Sequence, residues 1–509
     1  MSLLRVDQIS PTDDSVVLNV SDIRIKDSLV PANQVTISSP DSRNLQDWIS
    51  EHRSVKSYGA KGNGVDDDTS AFNLAITAAM SEGFALKIPS GTYYLSSALS
   101  ISIPSGKNLA ILGDAPATTI LKWIGTSAGI NITTAGVQEW QANSVHISGL
   151  MLQTNQYNTG TGISVDQEQQ TGIPAGDVTL ANLVLCGTVT NSTQWGTDIL
   201  LKRTGGSTIR DITIFGKSEG FEGYGVLYQG TSDDVSAQHT IDNVRVFFKE
   251  TALKANQYIQ GLFFNAFNVF NCKYGISWDA SSLTDGQTEA HITNSQFTAT
   301  YPIAFKRIGF VTASNNMFIG FLNDTTTTGV MADFDTCYDV VFSSNNIYGG
   351  NSSRYIGVAI QGTSGASQQG AYYPSLITNN TFDSLLTGVS VASTASGVRI
   401  RNNVFTASVT TNVDDGASDT VKDNDLWITE VTKTFSIAAG YQTLTVSVPD
   451  GLFKTRPRIA EVIFLGDYLL YASYNRDNST SRSLEFIIRK TDATNVPTGP
   501  YALAIKASS

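Results

Sequence analysis

Carboxylates set among aromatic rings are the residues of this sequence best suited to chemistry, and they gather in the middle of the chain. KSEGFEGYGVLYQGTSDDVSAQH, from Lys217 to His239, carries Glu219, Glu222, Asp233 and Asp234 beside Phe221, Tyr224 and Tyr228. WDASSLTDGQTEAH follows with Trp278, Asp279, Asp285, Glu289 and His291. Glycoside hydrolysis needs one carboxylic acid to protonate the leaving oxygen and one carboxylate to activate water or attack, ~6.5–9.5 Å apart for inversion or ~5–5.5 Å for retention. Glu222, Asp233, Asp234, Glu219 and Asp279 are therefore the candidate catalytic acids, and Tyr224, Tyr228, Trp278 and Arg245 the candidate sugar contacts. Asp166 and Glu168, in SVDQEQQTGIPAGD, form a second cluster; Asp333 and Asp335, in MADFDTC, form a third that reads better as a solvated turn. β-Elimination of a uronic acid would instead need a base and a cation, for which Lys217, Lys249, Arg245, His239 and Tyr224 are available.

Other chemistries find no support. There is no Ser-His-Asp signature, phosphate-binding loop, zinc spacing or dinucleotide fingerprint, and the four histidines form no metal set. No cofactor or metal is expected. Cys186, Cys272 and Cys337 lie far apart and read as free, mostly buried thiols of a protein assembled in the cytoplasm. The net charge of -12 argues against nucleic-acid binding, although a local basic groove could still hold an acidic glycan. No apolar run of ~18 residues predicts membrane insertion, and MSLLRVDQISPTDD lacks a secretory pattern.

The elements that must position these residues are repeats. NSQF at Asn294, NNMF at Asn315, NNIY at Asn345, NNTF at Asn379, NNVF at Asn402 and DNDLW at Asp423 recur at steps of 21, 30, 34, 23 and 21 residues. Weaker members begin at Val145, Val178, Ser207 and His239. Such a series reads as a solenoid with insertions in its loops. Asn suits the turn because it tolerates left-handed backbone and its amide can stack on the coils above and below. Around a dozen coils at ~4.8 Å would make a rod on the order of 60 Å long. With 509 residues and only 15% charged, the chain fits a turn-rich all-β solenoid better than one compact core.

The strongest local signal is SVKSYGAKGNGVDDDTSAFNLAITAAMSEGFALKIPSGTYYLSS, from Ser54 to Ser97. It reads as a short strand over Val55 to Tyr58, a glycine turn, and helix N-cap oxygens at Asp66, Asp67, Asp68 and Thr69. A helix with Phe72, Ala75, Ile76, Ala79 and Met80 on one face follows, ended by Gly83, and then two strands around Pro89-Ser90-Gly91. This order resembles the start of the pectate-lyase-like right-handed β-helix superfamily, particularly bacteriophage tailspikes and capsule depolymerases. The resemblance implies a helix capping the first coil, with the Asp residues structural. It also implies a homotrimer on the virion, at the phage tail, that binds bacterial capsule or O-antigen polysaccharide.

The expected organisation is a virion-anchoring segment over 1–43, which docks on the phage tail or on another spike, and a neck helix over 44–53. A right-handed parallel β-helix spans 54–429, and a small C-terminal antiparallel β-sandwich spans 430–509. The last would lock a trimer, bind glycan or both; Tyr468, Tyr471 and Tyr474 there read as packing before sugar stacking. Hydrolysis of the polysaccharide is the leading reading and lyase action its enzymatic rival. A receptor-binding adhesin that does not cut would lack convergent acids in one groove, and the short anchor and diverse mid-rod loops weigh against a virion decoration protein.

Overall fold

The computed structural model describes residues 53–422, except 127, 135–142, 169–175, 219, 233–235, 284–285, 323–325, 351, 353, 363–374 and 418–419. Beyond these it describes the backbone of a small hairpin, Arg24–Ile25 with Ser28–Leu29, and most of six strands between Trp427 and Ser508. The expected neck helix and nearly all of the anchoring segment lie outside the described residues.

Thirty-two described strands pair in parallel into one right-handed β-helix with three faces. Register is strict. On the first face Ile147, Leu180, Ile209, Ile241 and Phe264 occupy successive rungs, and every one of them is buried. Each such side chain contributes ~1.5–3 kcal/mol by leaving water, so the columns of like residues are the main source of cohesion. On the third face the inward column runs Tyr228, Ala255, Trp278, Phe305, Phe334 and Ile360.

The turn from first to second face divides between two residues the roles expected of one. Asn294, Asn315, Ser344, Asn379 and Asn402 adopt left-handed backbone, with φ between 50° and 57°. The next residue points inward and forms the ladder. Ser295, Asn316, Asn345 and Asn380 each donate a backbone N–H to the Oδ1 of the residue one coil below, at 2.9–3.0 Å. The Nδ2 groups of Asn316, Asn345 and Asn380 donate to the same oxygens at 3.0–3.1 Å. The repeat therefore counts from 295 by 21, 29, 35 and 23 residues, and NNIY sits one position out of phase with its fellows.

At the top of the rod the helix Thr69–Glu82 lays Phe72, Ala75, Ile76 and Ala79 onto the first coil, with Phe72 edge-to-face on Tyr93 at 5.3 Å. Gly83, at φ 78°, closes it. Val55–Tyr58 is a 3-10 turn and not the expected strand. Asp68 occupies the N-cap position without capping the helix. Its carboxylate instead accepts from the backbone N–H groups of Lys61 and Gly62, at 2.6 and 3.1 Å, and ties down the glycine turn.

Where the chain enters the third face, two consecutive residues point inward and break the alternation. Gly162, Asp198, Gly225, Ala252 and Gly275 form this corner column, and a Cβ at Gly225 or Gly275 would come within 2.5 Å of a backbone oxygen of the next coil. Between the glycines, Asp198 is fully buried and faces the equally buried Lys249, with Nζ 2.6 Å from Oδ2. Lys249 also donates to the Trp195 carbonyl at 2.8 Å. Burial pushes the Asp198 carboxyl up to about 7, against the pull of the ammonium. All three cysteines are free, Cys272 and Cys337 buried and Cys186 half-buried.

The chain from Trp427 onward forms two three-stranded antiparallel sheets. One orders Trp427–Ile437, Val496–Ser508 and Ile459–Phe464; the other orders Tyr441–Ser447, Ser483–Lys490 and Leu470–Tyr474. Tyr474 packs against Phe486 at 5.7 Å. Tyr468 and the side chain of Tyr471 lie outside the described residues.

Removing one partner of the buried pair tests how much the corner depends on it. Lys249→Met leaves an uncompensated carboxyl in the core and is expected to lower stability by ~3–5 kcal/mol. Denaturant unfolding at pH 7 would measure the loss, and adding Asp198→Asn should recover much of it.

Candidate functional site

The outer side of the third face carries the arrangement with the most chemistry. Three lines of side chains run along the rod there. At the leading corner stand Tyr224, Thr251, Tyr274 and Tyr301, the last two with stacked rings 5.0 Å apart. The middle line is Lys254, Ser277, Ala304, Asp333, Ala359 and Ser390, so Asp333 sits among small residues. The trailing line is Asp279, Lys306 and Asp335. Small side chains between taller ones make a shallow trough along the axis.

Asp333 and Asp335 are held there by Phe334 between them, whose ring is fixed in the core. Strand alternation then turns both carboxyl groups outward. Gln361 Nε2 donates to Asp333 Oδ1 at 2.6 Å. Burial raises the Asp333 carboxyl above the usual carboxylate range, and the Asp335 charge adds to the rise; the Gln361 hydrogen bond and Lys306 oppose it. Asp335 faces Lys306, with Nζ 3.4 Å from Oδ2, and accepts from Thr336 Oγ1 at 2.8 Å. One acid is thus shifted toward its protonated form while its neighbour's carboxylate is paired with Lys306. Among the described residues two other carboxyls are raised, and neither matches this pairing. Asp198 is in the core, and Asp339 has no second acid on its own strand or the strand above.

Asp279 is exposed on the trailing line, two rungs above Asp335, and its Oδ1 accepts from the Ser281 N–H at 2.8 Å in a local turn. Glu222 lies at the leading corner, on the other edge of the same face. The Tyr157 hydroxyl donates to its carboxylate, which raises the phenol above its ordinary range. Lys217 Nζ lies 4.8 Å above the Tyr157 ring. Gln194 fixes the backbone of this loop, donating to the Glu222 carbonyl at 3.2 Å and accepting from the Lys217 N–H at 2.7 Å. Phe221 meets Phe321, from a coil further along the chain, edge-to-face at 5.8 Å. Glu222 and Asp279 are not brought together.

Several expected site residues point elsewhere. Tyr228 and Trp278 are fully buried in the inward column, so neither offers a ring to a sugar; the alternation that turns Ser277 and Asp279 out turns Trp278 in. Tyr228 shares its hydroxyl hydrogen bond with Ser207 at 2.9 Å. Arg245 is exposed, but on the second face. Lys249 and His239 are fully buried and cannot meet a uronic acid. His239 bridges Ser207 and Ser236 at 2.9 and 3.0 Å, and burial lowers it to about 3, so it stays neutral. Asp166 is paired with Lys202 and Arg203 at 3.0 and 2.6 Å. Glu219, Asp233 and Asp234 lie outside the described residues. Tyr224 is half-exposed on the leading corner under Lys254, whose Nζ is 5.0 Å from the ring centroid.

Sequence reasoning passed over Lys254, Tyr274, Tyr301 and Gln361 and set Asp333 and Asp335 aside. The acid–Phe–acid alternation of DFD was the available signal, since it places both acids on one side of a strand. No group of three or more potential metal ligands occurs among the described residues. No helix among them is long and apolar enough to cross a membrane.

The Gln361 hydrogen bond favours the ionised form of Asp333, so Gln361→Leu should raise the Asp333 carboxyl further. Carboxyl carbon NMR titration would read the shift; a downward move would contradict the assignment.

Residues 52–277 match the family described as rhamnogalacturonase A/epimerase, pectate lyase-like. The pre-neck appendage protein of Bacillus phage phi29 is 33% identical over 118 residues, which are 22% of this chain and 12% of that protein; the corresponding protein of Bacillus phage PZA matches equally. The chain thus spans about an eighth of the length of the curated relatives it matches. The crystal structure of the tailspike protein gp49 from Pseudomonas phage LKA1 superposes with a TM-score of 0.51, covering 90% of this chain and 99% of that one. At 11% identity that likeness is one of fold.

Proposed function

From a chain that is pectate-lyase-like over residues 52–277 and folded like a phage tailspike, we propose a virion appendage that binds and cleaves a bacterial surface polysaccharide, capsule or O-antigen, by glycosidic hydrolysis. It works as a homotrimer, joined through its N-terminal segment to the phage tail or to another spike. The observation that carries the reaction is the Asp333–Asp335 pair, a raised carboxylic acid beside a charge-paired carboxylate on one exposed face.

Two residues along a strand are separated by about 6.6 Å, which suits the inverting geometry. Gln361 occupies Asp333 Oδ1, leaving Oδ2 to carry the proton. Asp333 delivers that proton to the glycosidic oxygen as the bond to the anomeric carbon breaks. Asp335 takes a proton from the water that attacks the opposite side of the sugar, and the product carries one added water and the inverted anomer. Tyr274 and Tyr301 flank the trough with apolar ring surface for neighbouring sugars.

Asp333→Asn and Asp335→Asn should each lower kcat by at least ~10²-fold while the variants still bind polymer, the range expected for loss of a general acid or base. The rate should fall as pH rises through the Asp333 ionisation, since only its protonated form can act. Mass spectrometry of the fragments checks the reaction class: saturated ends with one added water support hydrolysis, and unsaturated ends would establish β-elimination instead. Binding without fragments from any retained polymer would favour an adhesin. Glu222→Gln, run in parallel, should cleave within a few-fold of the wild type; its inactivity would move the chemistry to the leading corner.

A further inference from the structure

Lys254 lies on the middle line below Leu227 and three rungs above Asp333, which places it about 14 Å from the reacting acid along the trough. Its surroundings differ from those of two other lysines on this face. Lys202 and Lys306 are each paired with an aspartate. Lys254 has no carboxylate within ion-pair distance among the described residues. Its Nζ lies instead over the Tyr224 ring at 5.0 Å, and its charge also acts on Tyr274. Lys273 repeats the pattern one rung below, 5.4 Å from the Tyr274 ring centroid. Of the nearby acids, Glu222 is engaged by the Tyr157 hydroxyl, and Glu250 acts on Tyr274 without pairing with either lysine.

A ring face holds an ammonium group in place but leaves its charge unneutralised, because cation–π attraction is weak at a half-exposed site. An anion entering the trough would find Lys254 held over the Tyr224 ring and free of competing carboxylates among the described residues. We propose that Lys254, supported by Lys273, forms a subsite for an acidic sugar, a few rings along the polymer from the bond that Asp333 addresses. The polymer is then anionic, and its acid groups set its register on the rod. This rests on the reading of the third face as the glycan-binding face. It gives a protein of net charge -12 a local cationic point at which to hold a like-charged polymer.

The test measures binding apart from cleavage. Purified acidic and neutral capsule polysaccharides, and the acidic ones after reduction of their carboxyl groups to alcohols, are titrated against the full chain in the Asp333→Asn background at low and high sodium chloride. Acidic polymers should bind, lose at least tenfold in affinity on carboxyl reduction, and weaken with salt. Lys254→Met, which keeps the aliphatic stem, should lose a similar factor on acidic polymers and flatten the salt dependence, while Lys254→Arg restores most of both. Retention of neutral polymers alone, or of none of the acidic ones, overturns the subsite, as does a Lys254→Met variant that binds like its parent. Lys254-dependent binding of an acidic polymer that the wild type never cuts would sink the hydrolase reading and leave the subsite standing. Cleavage of a neutral polymer untouched by Lys254→Met would do the reverse.

Discussion

Parallel pairing in strict register is the constraint on which everything else in this rod depends. Each coil satisfies its backbone hydrogen bonds only through the coils above and below, so a residue's neighbours are set by rung and column and hardly at all by sequence proximity. Inside, this stacks Trp278 on Phe305 and Phe305 on Phe334, edge to face at 6.0 and 6.2 Å. In the turns it lines up the asparagines so that one oxygen accepts two N–H groups from the coil above. Outside, it draws Lys254, Ser277, Ala304 and Asp333 into one line from four strands spread across eighty residues of chain.

The corner into the third face shows how the constraint handles a conflict. Two inward residues in succession need room, and glycine or alanine supplies it in most coils. Pro302 and Met331 fill it in two lower coils, and Asp198 is the charged case, whose charge would be intolerable there without Lys249 2.6 Å away. The same double-inward step is what turns Tyr224, Tyr274 and Tyr301 outward, so the packing of the corner and the aromatic edge of the trough have one cause.

The fold was legible because its signals are local. Asn-rich turns at near-regular steps and the glycine turn before the first helix can each be read within a few residues, and both were. The face was much less legible, since it is assembled across coils whose lengths vary with their insertions. Trp278 and Asp279 look alike as candidates in WDASS until alternation is anchored, and it cannot be anchored without knowing that Gly275 and Ile276 both point inward. Asp333 and Asp335 looked like a solvated turn because nothing in MADFDTC reveals Gln361 one coil below or Lys306 one coil above. Val55 to Tyr58 is a 3-10 turn with Ser54 and Ser57 capping its start and Gly59 in left-handed backbone at its end, features that four residues of sequence did not separate from a short strand.

The alternation around Phe334 has an evolutionary meaning as well. Its ring belongs to the stack that holds the rod together, while the residues on either side belong only to the surface. Selection can therefore rewrite the outward lines of this face one position at a time, exchanging a serine for a lysine or an alanine for an acid, without disturbing a single core contact. A rod built this way keeps one scaffold while the outer lines of its face vary independently of the core.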